Sequence, residues 1–265
     1  MSIDRREFLK IAGLAGLGVG VAGMNLVLRD RAVDAAGFLP EPEGLVAKRW
    51  AMVVDLSKFR TDEDYKRVIG ACHWVHNVPD IGNKKDEVKW IWTEEFEHAF
   101  TGQMNKYVPA GIEDKPFLLF CNHCDNPPCV RVCPTQATFK RPDGIVAQDY
   151  HRCIGCRFCM AACPYGSRSF NWIDPRPYIK KINPEFPTRT IGVVEKCNFC
   201  VERLARGLKP ACVEKSGGGL IFGDLADPGS EVREVLSKHY TIRRRPQLGT
   251  QPSVFYIIGG GEENV

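Results

Sequence analysis

The sequence predicts an α+β fold in which short strands and short helices pack around cysteine-rich loops. Three observations carry this. Eight cysteines fall into two blocks that each end in Cys-Pro. Apolar runs of strand length, such as Trp50–Leu56 and Phe117–Phe120, are bounded by turn residues and are not continued at helical spacing. The 265 residues, 44% of them hydrophobic, are enough to bury a core as one large domain or two small ones. A net charge of +4 with both signs mixed throughout does not point to nucleic acid.

The cysteine blocks set the chemistry. The first reads CNHCDNPPCVRVCP, with Cys121, Cys124, Cys129 and Cys133; the second reads CIGCRFCMAACP, with Cys153, Cys156, Cys159 and Cys163. This is the spacing of a two-cluster bacterial ferredoxin, loosened in the first block by two residues. A cubane of iron and sulfide needs four converging thiolates. A short loop supplies three, and the fourth comes from the last cysteine of the other block. That rule pairs Cys121, Cys124 and Cys129 with Cys163, and Cys153, Cys156 and Cys159 with Cys133. Pro134 and Pro164 turn the chain away. Zinc favours two C-x-x-C pairs closing one tetrahedron, and disulfides favour small exported domains without a core, so both fit the pattern less well.

Residues 1–35 are set apart from the fold. Asp4-Arg5-Arg6-Glu7-Phe8-Leu9-Lys10 has the form of a twin-arginine export motif, followed by the apolar, Gly-rich run Ile11–Leu28. Cleavage before Ala36 and retention as an anchor are both open; the 18-residue run is at the lower limit for spanning a bilayer. Export by this route places the protein in the periplasm or on the outer face of the cytoplasmic membrane.

Trp50–Leu56 reads as a buried strand, followed by a charged stretch that leads to Cys72. Lys89–Thr93 and Phe117–Phe120 read as strands, Pro109-Ala110-Gly111 as a turn, and the aromatic residues between Asp80 and Phe120 as packing that keeps water from the clusters. Ala137–Lys140 and Ile145–Ala147 flank the turn Arg141–Gly144 as a hairpin. Tyr165–Trp172 is a further strand, and Asp174–Pro187, with four prolines, a surface loop. His123 and His151 beside the cysteines read as partly exposed histidines, with a proton-coupled role as the rival. Ser230 is placed to cap a helix from Glu231 to His239. Arg243-Arg244-Arg245 reads as a solvated face, its rival a contact with lipid head groups or an acidic partner.

A third block begins at Lys196: Cys197-Asn198-Phe199-Cys200, eleven residues, then Cys212, with Ser216 where a fourth cysteine would complete the pattern. With this block the chain, over roughly residues 48–258, resembles the four-cluster ferredoxin-type electron-transfer subunits of bacterial and archaeal respiratory complexes. In that family four cysteine blocks form two ferredoxin-like modules, one nested inside the other. The resemblance implies an inner module at about 117–172 and an outer module at about 48–79 plus 190–258. It also gives Cys72 a meaning, as the last cysteine of a degenerate first block that completes the set Cys197, Cys200 and Cys212. The cluster that would use the rest of that block has lost its ligands: Phe59 and Ser216 are two of the replacements, and Asp62 and Tyr65 lie near the others. Twelve cysteines remain, enough for three 4Fe-4S clusters.

The resemblance implies electron relay without bond chemistry of the chain's own. Nearby cations such as Arg131, Arg152, Arg157 and Lys196 would help set the potentials. Within the family, the export motif, the degenerate first block and Asn183–Thr190 are similar to the exported iron–sulfur subunits of sulfur-metabolising membrane complexes. That likeness implies an integral membrane, quinone-interacting subunit of the NrfD type and an exported multihaem cytochrome c as partners. The alternatives are an electron-transfer subunit of a molybdopterin oxidoreductase, a free-standing diffusible ferredoxin, and a protein whose clusters only hold the fold.

Overall fold

The computed structural model describes residues 43–258. The twin-arginine motif, the run Ile11–Leu28 and the cleavage site lie outside the described residues. Among the described residues no helix is long and apolar enough to cross a membrane.

The fold is built on β1 (Trp50–Asp55). Five of its six residues are buried, because it is apolar on both faces and the centre of a sheet is where such a run finds cover. β8 (Leu220–Asp224) pairs with it antiparallel, Val53 opposite Ile221. On its other edge β10 (Val254–Ile257) runs parallel, Val53 opposite Phe255, and β9 (Thr241–Ile242) closes the sheet in the order β8-β1-β10-β9. The two-residue alternation splits the strand. Ala51 and Val53 pack with Val232 and Ile257, under the helix α8 (Glu231–Lys238), while Trp50, Met52 and Val54 enter the main core. The Ser230 hydroxyl accepts from the Arg233 N–H at 3.3 Å, the cap the sequence predicts.

The stretch after β1, expected only as charged, is a 14-residue helix, α1 (Asp62–Val75). Its buried stripe, Tyr65, Val68, Cys72 and Val75, is narrow and hidden among charges. Its start is marked by Thr61 and Asp64: the Asp64 carboxylate accepts from the Thr61 N–H and hydroxyl at 3.0 Å each, and from the Arg60 N–H at 3.1 Å. Those bonds, the Thr61 N–H first, hold its pKa at about 2.

β2 (Ile91–Glu94) pairs antiparallel with β3 (Phe117–Phe120), and the single turns α2 (Phe96–Ala99) and α3 (Ala110–Glu113) lie between them. The residues expected as a plain turn at 109–111 start α3, with Pro109 as its N-cap. The aromatic side chains pack edge to face: Phe100 meets Tyr256 at 5.3 Å and 90°. β4 (Thr138–Lys140) and β5 (Val146–Gln148) form the predicted hairpin. Only Ser169–Phe170 (β6) of the expected strand 165–172 pairs, with β7 (Val194–Glu195), because the turn after Pro164 uses the rest.

Asp174–Pro187 is the surface loop the sequence predicts, but it is tied down. Asn77 donates to the carbonyls of Asn183 (2.9 Å) and Phe186 (2.6 Å), and Asn183 donates to the carbonyl of Val75 at 2.8 Å, so the segment is stitched to the end of α1. Arg189 and Glu195 form an ion pair at 2.6 Å, both essentially inaccessible; Glu195 also accepts from Trp90 Nε1 at 2.9 Å. Arg244, expected on a solvated face, is buried and donates to the carbonyl of Ala99 at 2.9 Å.

Candidate metal centres

Each of the three C-x-x-C loops makes the same local turn. The residue before its second cysteine is left-handed: His123 (φ 40°), Gly155 (φ 70°) and Phe199 (φ 55°). Such a turn directs successive backbone N–H groups to one side, a concavity suited to negative charge. Short helices follow: α4 (Pro128–Arg131) after the first loop, α5 (Phe158–Ala162) after the second, α6 (Val201–Leu204) after the third, then α7 (Ala211–Glu214).

The structure sorts the thiols into three groups. Cys121, Cys124, Cys129 and Cys163 line one small cavity. Cys133, Cys153, Cys156 and Cys159 line a second. In each, three cysteines come from one block and one from the other, because α4 and α5 pack side by side and exchange their last cysteines. The third group is Cys72 on α1, Cys197 and Cys200 on the third loop, and Cys212 on α7, which packs against α1. These thiols are near enough to one another that Cys212, Cys197 and Cys200 add to burial in raising the pKa of Cys72 well above the usual thiol value.

Burial differs between the groups. Cys72, Cys200 and Cys212 are buried, as are Cys121, Cys124 and Cys129, whereas Cys133, Cys153 and Cys156 are partly exposed. Burial first, then the neighbouring thiols, pushes Cys124 up to about 12. Burial also pushes Cys212 up to about 12. At Cys133 burial raises the thiol too, but N–H donors of Thr138, Thr135 and Ala137 and the Thr135 hydroxyl outweigh it, and the net shift is downward.

The donor set fits iron–sulfur clusters. Four thiols crowded into one buried place are poor acids and poor neighbours, and bound metal reverses both by taking them as thiolates. Donors to sulfur are already in position: Arg168 Nη2 lies 3.1 Å from Cys129 Sγ, the Thr138 N–H 3.4 Å from Cys133 Sγ, and the Phe199 N–H 3.5 Å from Cys197 Sγ. Asn122, which lines the first cavity, is buried with both side-chain polar atoms unpartnered among the described residues. A polar occupant of that cavity would satisfy it.

The Cys121 group neighbours both of the others: Cys129 lies near enough to Cys159, and Cys121 near enough to Cys197, for each to add to the raised pKa. His123 is buried, not partly exposed as expected, and stacks on Phe199 at 3.7 Å and 22°, joining two of the loops; His151 is exposed. Lys196 is buried and donates to the carbonyls of Val146 and Cys197. Arg131, Arg152 and Arg157 are exposed.

Among the described residues no fourth group stands beside β8. Phe59 is 2% exposed and its ring lies where a Cβ on Gly219 would come within 2.5 Å. Tyr65 packs on it at 5.0 Å and donates its hydroxyl to the Pro116 carbonyl at 2.9 Å. The Ser216 hydroxyl donates to the Val213 carbonyl at 2.8 Å and accepts from the Leu220 N–H at 3.0 Å. Aromatic rings and a satisfied hydroxyl fill this place; Asp62 is exposed at the start of α1.

Sequence reasoning misses three polar residues here. Arg168 carries no motif. His76 is essentially inaccessible; its Nε2 lies 2.8 Å from Glu202 Oε1 and its Nδ1 2.9 Å from the Cys72 carbonyl. His76, Cys200 and Glu202 place their donor atoms within 4.8 Å of one another. The spacing of the residues around His76 was no guide, because the partner Glu202 is 126 residues away.

Cysteine loops of this spacing, closed over cavities lined from two blocks, define an iron–sulfur protein. The sequence model of the 4Fe-4S dicluster domain matches residues 116–177. The chain belongs to the 4Fe-4S ferredoxin-type family of iron–sulfur subunits of respiratory oxidoreductases. It is 41% identical to the Hdr-like menaquinol oxidoreductase iron-sulfur subunit 1 of Archaeoglobus fulgidus, over 98% of this chain and 100% of that one. It is 38% identical to a subunit of the tetrathionate reductase of Salmonella typhimurium, over 97% and 89%. It is 36% identical to the menaquinone reductase iron-sulfur cluster-binding subunit of Nitratidesulfovibrio vulgaris, over 79% and 88%.

Proposed function

We propose that the chain relays electrons through three 4Fe-4S clusters in two nested ferredoxin-like modules. Cys133, Cys153, Cys156 and Cys159 would hold one. Cys121, Cys124, Cys129 and Cys163 would hold the middle one, and Cys72, Cys197, Cys200 and Cys212 the third. The sorting of twelve thiols into three groups of four carries this reading. When bound, the clusters would accept and pass single electrons. The chain's own residues donate to sulfur through Arg168 and the backbone, bury three of the four thiols in two of the three sites, and hold a buried cation, Lys196, beside Cys197.

The relay would run between a quinone-interacting membrane subunit of the NrfD type and an exported multihaem cytochrome c, in a complex of sulfur metabolism such as that of DsrO. The twin-arginine form of residues 4–10 and the aromatic filling of the fourth cluster's place support this reading. A second reading, service to a large molybdopterin-type reductase, is favoured by the likeness to a tetrathionate reductase component. The two diverge on the partners that co-purify.

Iron and acid-labile sulfide on anaerobically purified protein test the cluster count. The expected result is about 12 iron per chain, falling by about 4 in Cys72→Ala. About 8 iron, unchanged in that variant, would leave only the two cavity groups loaded and overturn the three-cluster relay.

A further inference from the structure

The group Cys133, Cys153, Cys156 and Cys159 lies under an unusual surface. Ile154 is 66% exposed, Phe158 59%, Ile191 58% and Trp172 46%. They are neighbours in space. A Cβ on Gly155 would fall 2.3 Å from the Gly192 carbonyl oxygen and 3.1 Å from the Phe170 ring, so the Cys153–Cys156 loop rests directly on residues 191–192 and on β6. The Arg157 guanidinium lies 4.7 Å over the Trp172 ring and 5.3 Å over that of Phe170. Ile154 and Phe158 therefore flank the cysteines on the same face as Trp172 and Ile191.

The charge on this face is positive in excess, since Arg152 is paired with Asp149 and Arg157 is not paired with any carboxylate among the described residues. From Arg152 to Ala162 the chain carries Arg152 and Arg157 and no carboxylate. Arg152 pairs with Asp149 at 3.3 Å and leaves its side chain 65% exposed. Among the described residues Arg157 has no carboxylate partner and is held by aromatic faces instead. Exposed apolar side chains with arginine at the rim are the composition of an interface awaiting a partner. Three of the four thiols beneath are partly exposed, against one in each of the other two groups, so a partner seated here comes close to the cluster.

We propose that Ile154, Phe158, Trp172 and Ile191, rimmed by Arg152 and Arg157, form the docking surface for a second redox protein whose cofactor edge is ringed by carboxylates. The proposal rests on the reading that the four thiols below hold a cluster. One electron leaves the reduced cluster and converts a ferric haem of the partner to ferrous; no atom or proton is transferred. Charge complementarity selects an acidic partner, and the exposed thiols below select a redox one.

The test mixes anaerobic, reduced holoprotein with ferric mitochondrial cytochrome c in a stopped-flow cell. The cytochrome is used native, and so cationic, or fully succinylated, and so anionic, with the same haem. The succinylated form is expected to react about tenfold faster or more at low ionic strength and to lose that advantage at high salt. Arg152→Glu/Arg157→Glu removes the advantage, and Ile154→Ser slows both forms. Lys84→Glu/Lys181→Glu, at the separate cleft beside Trp74, leaves it intact. If the Arg157 change disturbs the packing of Trp172, Arg152→Glu alone carries the test.

Equal rates with the two cytochromes, or an equal loss from the Lys84/Lys181 pair, would overturn the proposal. So would binding of anionic phospholipid vesicles that blocks the reaction and is lost in Arg152→Glu/Arg157→Glu, since that marks a lipid-facing surface. Iron analysis separates the two levels. Fully loaded protein with a charge-insensitive reaction removes the docking surface and leaves the clusters. Iron unchanged by Cys156→Ala shows that this site holds no cluster, and takes both down.

Discussion

Two of the three cysteine groups are built on opposite principles. Cys72, Cys197 and Cys212 lie within or against the main hydrophobic core and Cys200 packs with Val75 and Ala211, beside α1 and α7, with His76, Trp90 and Phe186 packed around the end of α1. Cys153 and Cys159 sit in or against a smaller cluster with Val146 and Val194, and Cys133 and Cys156 line the same small cavity, beside exposed Ile154 and Phe158. Burial raises the thiols at the first end, and local hydrogen bonds lower Cys133 at the second. A cluster at the buried end is shielded and fixed by the whole fold. One at the exposed end would be held by the Cys153–Cys159 loop and Cys133 and would stand where electrons can enter or leave.

The strongest way to break this contrast is to remove what braces the buried end. Arg189→Ala leaves Glu195 as an unpaired buried charge and frees the carbonyls of His76 and Asn77. A loss of about 3–5 kcal/mol is expected, read as a lower denaturation midpoint of the holoprotein. A variant as stable as the parent would show that the brace contributes nothing.

Chelation sharpens the contrast by rate. With a ferrous chelator in excess, about a third of the iron should leave first, on the order of tenfold faster than the rest, and Cys156→Ala should lack that phase. A single uniform phase would mean that exposure does not distinguish the ends.

The smallest effect concerns two groups at once. Arg168→Gln removes a buried cation that donates to Cys129 at 3.1 Å and also acts on Cys159. Less stabilisation of the reduced, more negative clusters is expected to lower two potentials by tens of millivolts and leave that of the Cys72 group in place. Redox titration followed by electron paramagnetic resonance reads this directly.

Much of the site was legible because iron–sulfur ligation writes itself into local spacing. A loop that wraps a cluster has little freedom in length, so Cys121–Cys133 and Cys153–Cys163 stand out without any knowledge of the fold. The hairpin at Arg141–Gly144 and the cap at Ser230 were legible for the same reason, since turn and cap chemistry is decided by neighbours in sequence. α1 was missed because its apolar stripe is narrow, although Thr61 and Asp64 mark its start. The segment 174–187 was legible as a surface loop but its anchoring was not, because its prolines report only backbone stiffness, while Asn77, more than a hundred residues before Asn183, ties it to the end of α1.

By itself the sequence determined the three cysteine blocks, the short strands that carry them and the gap at Ser216, all set by contacts between near neighbours. Only the tertiary structure decided which thiols are buried. It also decided that Phe59 and Tyr65 fill the fourth place, and that His76 meets Glu202 and Arg168 meets Cys129. Those outcomes depend on packing β1 between strands that begin about 170 and 204 residues further on. No local pattern encodes a contact of that range, because its free energy is realised only when the core closes.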